Sequence, residues 1–221
     1  SKGTQKLSLN IQIWSNDFAG ALNRLSEIFE RDVIAKTPGR LYCNGNYIYC
    51  CITKIKASDF YRKNCMAALE ITVDYPYWIN EYTKRFYTSG GLGGNGLRFP
   101  FKFPMKFTKP QKDKSLINSH YAASKAKIVI YGGAVNPKIK IAGNVYQVYV
   151  TLGNYEYLVI DQMSKTITKC INAYSENLFN SRNKDYDIFK PIPAGTNVVD
   201  YDGTFAFDVI LYRERSLPLW K

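Results

Sequence analysis

Short runs in which apolar and polar residues alternate recur along most of this chain, and a period of two is the pattern of a strand with one buried face. The first run places an apolar residue at every second position: Leu7, Leu9, Ile11 and Ile13. Aromatic residues form 15% of the sequence, and 18 of them are tyrosines. Such residues fit a pleated, half-buried surface better than a helix. The sequence therefore predicts a mainly β fold.

One segment has the period of a helix instead. Between about residues 17 and 33, apolar residues recur at spacings of three and four, namely Leu22, Leu25, Phe29 and Val33. This spacing places them on one face of a helix. Asn16 or Asp17 can cap the first turn by accepting a hydrogen bond from a free backbone N–H. The turn-forming pair Pro38-Gly39 lies beyond the helix end.

The remainder of the first 88 residues predicts a hairpin and one more strand. Asn44-Gly45-Asn46 separates the runs 40–43 and 47–55, and the Asn-Gly pair tolerates the positive φ that a tight hairpin needs. A further alternating run, 69–73, leads into Tyr75-Pro76-Tyr77-Trp78. We therefore expect residues 1–88 to form a small β domain in which one helix packs on a sheet.

A glycine-rich stretch then interrupts the pattern. Five of the seven residues in 90–96 are glycines, which leave the backbone with little side-chain restraint. Five apolar residues follow in strict alternation with proline and lysine: Phe99, Phe101, Phe103, Met105 and Phe107. Because proline cannot donate to a strand ladder, this run is expected to be an edge strand or an extended arm. We place a linker and arm at 89–110.

Beyond the linker, short strands and turn signals follow one another without a second helical period. Six runs are predicted as strands: 127–131, 138–141, 145–151, 155–160, 166–171 and 205–212. Turn pairs such as Gly143-Asn144 and Asp202-Gly203 lie between the runs. Many short strands joined by turns are typical of a sandwich or jelly roll. Residues 111–221 are therefore expected to form a β-sandwich.

Two motifs suggest ligand sites, and neither has the context that its chemistry needs. Gly91, Gly93 and Gly96 have the spacing of a dinucleotide-binding loop, which requires a buried strand before it and a helix after it. The proline-containing arm follows instead. Asp200-Tyr201-Asp202-Gly203 matches half of a calcium loop, but no glutamate occupies its closing position. A linker and a turn explain the two motifs better.

No residue stands out as a catalytic, cofactor-binding or metal-binding group. The single histidine, His120, lies outside any strained G-x-S-x-G turn, and the 18 acidic residues single out no carboxylate pair. The cysteines form no C-x-x-C pair that would suit zinc and are better explained as reduced, mostly buried thiols of a protein folded in a cytosol: Cys43, Cys50, Cys51, Cys65 and Cys170. We therefore predict a protein that is not an enzyme.

The formal net charge of +12 raises nucleic-acid binding as one hypothesis, because a basic protein is attracted to phosphate. That function needs clustered cations. The densest basic run consists of spaced lysines: Lys102, Lys106, Lys109, Lys112 and Lys114. Solvated or interface charge explains it better. No apolar run approaches the roughly 20 residues of a membrane span, so we expect neither nucleic-acid recognition nor membrane insertion.

Several segments carry a family resemblance when they are taken in order. In the first domain they are the strand 7–14, the helix, and the segments 38–42, 44–48 and 69–78. In the second domain they are 136–139, 157–161, 177–182, 192–197 and the ending 213–220. Each segment alone is only moderately specific, but together they span nearly the whole chain. In this order they resemble the distal tail protein family of siphophages and related prophages.

The resemblance implies both a fold and a role. Such proteins have an N-terminal β domain with one helix, which closes into a homo-hexameric ring, and a galectin-like C-terminal sandwich. They form a hub that joins the tail tube protein and the tape-measure protein to the tail-associated baseplate protein and, in many phages, to receptor-binding proteins. The expected location is the tip of a virion tail, after assembly in the bacterial cytoplasm. Because family members usually have several strands before the first run, we expect an N-terminal stretch to be missing here.

Carbohydrate binding is the alternative function. Tyrosine and tryptophan form sugar platforms as well as protein interfaces, so the aromatic surplus is compatible with a module that recognises a host cell-surface glycan. A galectin groove, however, uses histidine, asparagine and arginine on neighbouring strands with a stacking tryptophan. Here Tyr121-Ala122-Ala123 follows His120, and the only tryptophan of the second domain is Trp220.

Overall fold

A computed structural model describes residues 3–58, 60–61, 64–88 and 115–218. The chain divides into two compact units, Ser1–Asn80 with Glu214–Lys221 and Glu81–Arg213. The predicted boundaries at 88 and 111 remain a prediction, since the glycine-rich stretch and the aromatic arm lie outside the described residues. In the part of the chain that is described, strands dominate and one α-helix is present, so the predicted mainly β fold with one helix is confirmed.

The first unit is a sheet with one helix. Its elements, in chain order, are β1 (Gln5–Trp14), α1 (Phe18–Ile34), β2 (Gly39–Cys43), β3 (Asn46–Ser58), β4 (Asn64–Val73) and the start of β5 (Trp78–Phe86). The sheet order is β1-β4-β3, and β2 also pairs with β3. The core contains Ile48, Leu69 and Ile71, and Phe29 of the helix packs against it.

The helix cap and the hairpin turn are formed by residues that were predicted for them from the sequence. The Asp17 side chain caps α1 by accepting a hydrogen bond from the Gly20 N–H at 2.9 Å. In the hairpin, Asn44 and Gly45 have φ angles of 49° and 73°, as a two-residue turn between twisted strands requires. Both predictions are confirmed.

The sequence did not predict β5. Residues 75–78 were interpreted as the end of the last strand, whereas a nine-residue strand begins at Trp78. Only Ile79 and Phe86 of β5 are buried, and an odd spacing of seven places these two residues on opposite faces of a regular strand. For that reason the segment shows no period of two.

The second unit is a β-sandwich. One sheet contains β16-β7-β12-β13-β14 in that order and the other β10-β9-β15-β6. Ile128 and Leu158 from the first sheet share one core with Ile139 and Val199 from the second. Its strands are β6 (Ser115–Asn118), β7 (Lys125–Tyr131), β8 (Ala134–Val135), β9 (Lys138–Ile141), β10 (Asn144–Gln147), β11 (Thr151–Leu152), β12 (Glu156–Asp161), β13 (Thr166–Ile171), β14 (Tyr174–Asn177), β15 (Gly195–Asp200) and β16 (Phe207–Arg215).

One predicted strand of this unit is wrong in its extent. The run 145–151 was predicted as a single strand, but it is divided between β10 and β11. The reason lies in the hydrogen bonds of the intervening residues, because the Tyr149 N–H donates to the Ser181 carbonyl at 2.8 Å and Val148 bridges to Arg182. The chain thus leaves one ladder before it enters the next.

Candidate assembly interface

The outer edge of β1 is the most conspicuous open feature of the first unit. All ten residues of β1 pair with β4 in an unbroken antiparallel register, and no described strand pairs with the other edge. Ten residues extend about 33 Å. Edge strands are usually kept short or carry proline, bulges or several charges, whereas β1 has no proline and Lys6 is its only charged residue.

Apolar side chains lie beside this edge. Leu7 and Leu9 are each 37% exposed, although their cross-strand partners Ile71 and Leu69 are buried. The helix adds further apolar surface, since no residue of α1 is buried. Its exposed apolar side chains include Ile28, Val33 and Ile34. The sequence spacing had placed Val33 on the packed face of the helix instead. The first unit therefore offers both backbone and apolar groups for association.

A second group of side chains surrounds Arg40 on the β2–β3 hairpin. The Arg40 guanidinium lies 4.3 Å from the ring centroid of Tyr47 and 5.2 Å from that of Tyr49. It donates a hydrogen bond to the Tyr49 hydroxyl at 3.0 Å. Tyr42 packs at 5.7 Å from Tyr47, between ring centroids. We call these four residues the Arg40 face.

In the second unit, Asp208 is a buried carboxylate with three hydrogen bonds. Arg85 donates to its two oxygens at 2.9 and 3.0 Å, and the Tyr131 hydroxyl donates at 2.8 Å. Burial alone would raise the pKa of Asp208, but the hydrogen bonds from Arg85 and Tyr131 and the charge of Arg85 outweigh it and lower the pKa. Asp208 and Arg85 are 123 residues apart in sequence, so this pair stabilises the fold of the sandwich.

Replacing Asp208 with asparagine is expected to lower the free energy of unfolding by about 2 kcal/mol at neutral pH, because the donors lose an ionised acceptor. A lowered folded pKa means that this stabilisation is present above the ordinary aspartate pKa of about 3.9 and is lost as the pH falls through the folded value. In urea unfolding, the difference in stability between wild type and D208N should therefore shrink progressively as the pH falls below about 4.

Asp202→Asn is the matched control for that comparison. The Asp202 carboxylate accepts from the Thr204 N–H and hydroxyl at 2.9 and 2.8 Å, and an asparagine Oδ1 can accept both bonds. We expect little change at any pH. A D208N deficit of the same size at pH 7 and at about pH 2 would contradict the ionic origin of the effect.

The residues considered for chemistry in the sequence do not converge on a site. His120 is buried, and its Nδ1 lies 3.3 Å from the Ala122 N–H, which donates to it. Asp202 closes a local turn with Thr204, and the described residues contain no cluster of side chains that could hold a metal ion. The dinucleotide-like glycines at 91–96 lie outside the described residues.

The five cysteines, all in described segments, are free thiols. Cys50 and Cys65 are buried and the other three are partly buried. Burial raises the pKa of Cys50 and that of Cys51, so both favour the protonated, unreactive form. In the described ranges no helix combines the length and apolar character of a membrane span.

Comparison with known proteins identifies a shared fold. No family model and no curated protein matches the chain. Among solved structures, it is similar to SPP1 Dit, described as a paradigm of the hub adsorption apparatus in Gram-positive infecting phages. The TM-score is 0.58 and the sequence identity is 8%. The match covers 97% of this chain and 80% of that chain.

Two structures of the phage P2 baseplate in its activated conformation are also similar. The one with Ca gives a TM-score of 0.59 and 10% identity, covering 97% of this chain and 80% of that chain. The one with Sr gives 0.57 and 13%, covering 99% and 81%. At such low identity the likeness shows the fold. The present chain thus has the fold of phage Dit and baseplate proteins.

Proposed function

We propose that this chain is a structural protein of a phage tail tip and that copies of it associate through the first unit to form a hub. The observation that carries this proposal is the ten-residue outer edge of β1, with Leu7 and Leu9 beside it. Unpaired N–H and C=O groups along a long apolar edge favour pairing with another strand. The fold shared with SPP1 Dit and the P2 baseplate supports the same role.

The finer features of the proposal come from the family resemblance. Residues 1–88 form a homo-hexameric ring, and residues 111–221 form a galectin-like sandwich. The ring joins the tail tube and tape-measure proteins to the tail-associated baseplate protein and to receptor-binding proteins. The protein is assembled in the bacterial cytoplasm, becomes part of the virion and catalyses no reaction.

Electron microscopy and mass measurement test the assembly directly. The protein should form closed rings with a central hole in class averages, and the mass of the assembly should be six times that of the monomer. A strictly monomeric mass at high protein concentration would contradict the proposal. A closed ring with another symmetry would retain the hub and correct the number of copies.

Replacing both Leu7 and Leu9 with lysine is expected to weaken self-association at least about 100-fold, because inward-facing charges on an edge oppose strand addition. The matched control is the double variant Ser8→Lys with Asn10→Lys, which adds the same charge to the opposite face of β1. We expect the control to weaken association less than about tenfold. Analytical ultracentrifugation measures both constants, and equal effects would argue against the apolar face as an interface.

Glycan binding is the second candidate, supported by exposed tyrosines on the sandwich. Tyr121, Tyr155 and Tyr174 are 75%, 89% and 73% exposed, and each offers a flat face with a hydroxyl. His120, the one histidine that a galectin-like groove could use, is buried. Titration with host cell-wall polysaccharide tests this function, and an absence of binding would exclude it for the polysaccharide used.

A further inference from the structure

The Arg40 face lies on the side of the hairpin opposite the packed helix. Leu41 and Ile48 form a cross-strand pair that belongs to the core with Phe29. Since strand side chains alternate between faces, the neighbouring pairs Arg40 with Tyr49 and Tyr42 with Tyr47 lie on the other face. Arg40 is an exposed residue, and Tyr42 is 65% exposed. The register of the hairpin thus brings two exposed residues, Arg40 and Tyr42, together with the half-buried Tyr49 and the buried Tyr47.

The Arg40 guanidinium is oriented but has no acidic partner among the described residues. Its central carbon lies 4.3 and 5.2 Å from the centroids of two tyrosine rings, and the Tyr49 hydroxyl accepts one of its hydrogen bonds. Hydrogen bonding to Tyr42, opposed by burial and helped by Tyr49, raises the pKa of Arg40. An arginine carries five N–H donors in a planar fork, so the interactions with tyrosine leave donors available to a ligand.

Three other arginines of the described residues differ from Arg40 in one of these respects. Arg85 is paired with Asp208 through two hydrogen bonds. Arg182 stacks on Phe179 at 3.9 Å and Arg213 on Tyr82 at 4.4 Å, but each has a single ring and both are less exposed than Arg40. Contact with two rings that are nearly perpendicular to each other, at an interplanar angle of 83°, restrains the Arg40 guanidinium and reduces the entropy lost when a ligand binds.

We propose that the Arg40 face docks a carboxylate-bearing segment of a different protein, so that the fork of Arg40 grips an aspartate or glutamate while Tyr42 packs on the adjacent chain. The inference rests on the proposed function in that it names the chemistry of one partner of the hub. Arginine and tyrosine dominate the energetic centres of protein interfaces, and the planar fork matches a carboxylate with two parallel hydrogen bonds.

The net charge of this chain favours an acidic protein over a second copy or a nucleic acid as the partner that binds the Arg40 face. The whole chain carries +12, and 20 basic against 16 acidic residues lie in its described ranges, so a second copy is a poorer source of carboxylates than an acidic protein. A nucleic acid would need a row of free cations along its backbone. Lys54 and Lys56, on the same strand as Tyr47, each lie 3.9 Å from Glu70, whose carboxylate offsets one of their two charges.

NMR titration of the full chain with an acetylated, amidated octaglutamate peptide tests the proposal, with octaglutamine and an oligothymidylate of eight nucleotides as parallel probes. At about 150 mM salt, where distant charges are screened, octaglutamate should shift the Arg40 Nε–H and the Tyr42 and Tyr49 ring signals. Arg40→Lys keeps the charge but loses the fork and should weaken binding, followed at the Tyr42 and Tyr49 ring signals, at least about tenfold. Arg182→Lys, the matched control, should change it less than about twofold.

Each result has one meaning. Equal octaglutamate affinity in R40K and wild type, or no shift of the three signals, would overturn the proposal. Arg40-dependent binding of the oligothymidylate that is tighter than that of octaglutamate would instead assign the face to phosphate. Loss of self-association in R40K would assign it to contacts between copies. Self-association that persists in R40K without peptide binding would remove this inference and leave the proposed hub intact.

Discussion

Phe207→Ala is expected to lower the free energy of unfolding of the sandwich by about 3 to 5 kcal/mol, the usual cost of removing a buried ring. Phe207 is fully buried, and its ring stacks on Phe86 with centroids 4.6 Å apart. Tyr201 contacts it edge-on at 4.9 Å. The strand β16 also places Phe207 opposite Ile130 of β7, so the cavity would open in the centre of the core, where rigid neighbours cannot close it.

Phe179→Ala is the control for this substitution. Phe179 is 36% exposed and packs near Phe189 and Arg182 at the surface, so its removal should cost about 1 kcal/mol or less. Urea unfolding followed by tyrosine fluorescence measures both variants. Equal losses in the two variants would show that the aromatic cluster around Phe207 is not the centre of the sandwich.

Strands with one buried face were predictable, and strands without such a face were not. In β7 and β12, buried residues alternate with partly buried ones, and both strands were found from the sequence. All four residues of β14 are exposed, so it has no apolar period that a sequence could reveal. The strands β6 and β15 were also missed, because an asparagine lies on the buried face of each and interrupts the apolar period: Asn118 in β6 and Asn197 in β15.

The Arg40 face depends on the pairing of two strands that adjoin in sequence, which the turn between them can indicate. The Asp208 site depends on the pairing of strands far apart in sequence, which cannot be predicted from the sequence alone. The two-residue Asn44-Gly45 turn fixes Cys43 opposite Asn46 and therefore Arg40 opposite Tyr49. The Asn-Gly pair favours such a two-residue turn, although the predicted strands 40–43 and 47–55 left Asn46 in the turn and so did not specify this register. Arg85 reaches Asp208 because β5 and β16 are neighbours in the sheet, and no feature of one sequence specifies that adjacency.

Gly132→Ala is the other substitution with a large expected effect, and we expect a loss of about 3 kcal/mol in unfolding free energy. A Cβ at position 132 would lie 1.8 Å from the Gly153 carbonyl oxygen and 2.8 Å from that of Glu156. Both atoms belong to the backbone and cannot rotate away. The Gly133 N–H donates to the Leu152 carbonyl at 3.0 Å, so the two turns are held together where the extra methyl group would separate them.

Gly143→Ala distinguishes this clash from the general cost of replacing a turn glycine. Gly143 has a φ of +83° and no atom within 4 Å of the added Cβ, so only backbone strain of about 1 to 2 kcal/mol applies. Urea unfolding should place G132A well below G143A, and in G132A the amide signals of β8 and β11 should shift most. If G143A were less stable than G132A, the close approach of the two turns would not explain the need for glycine at position 132.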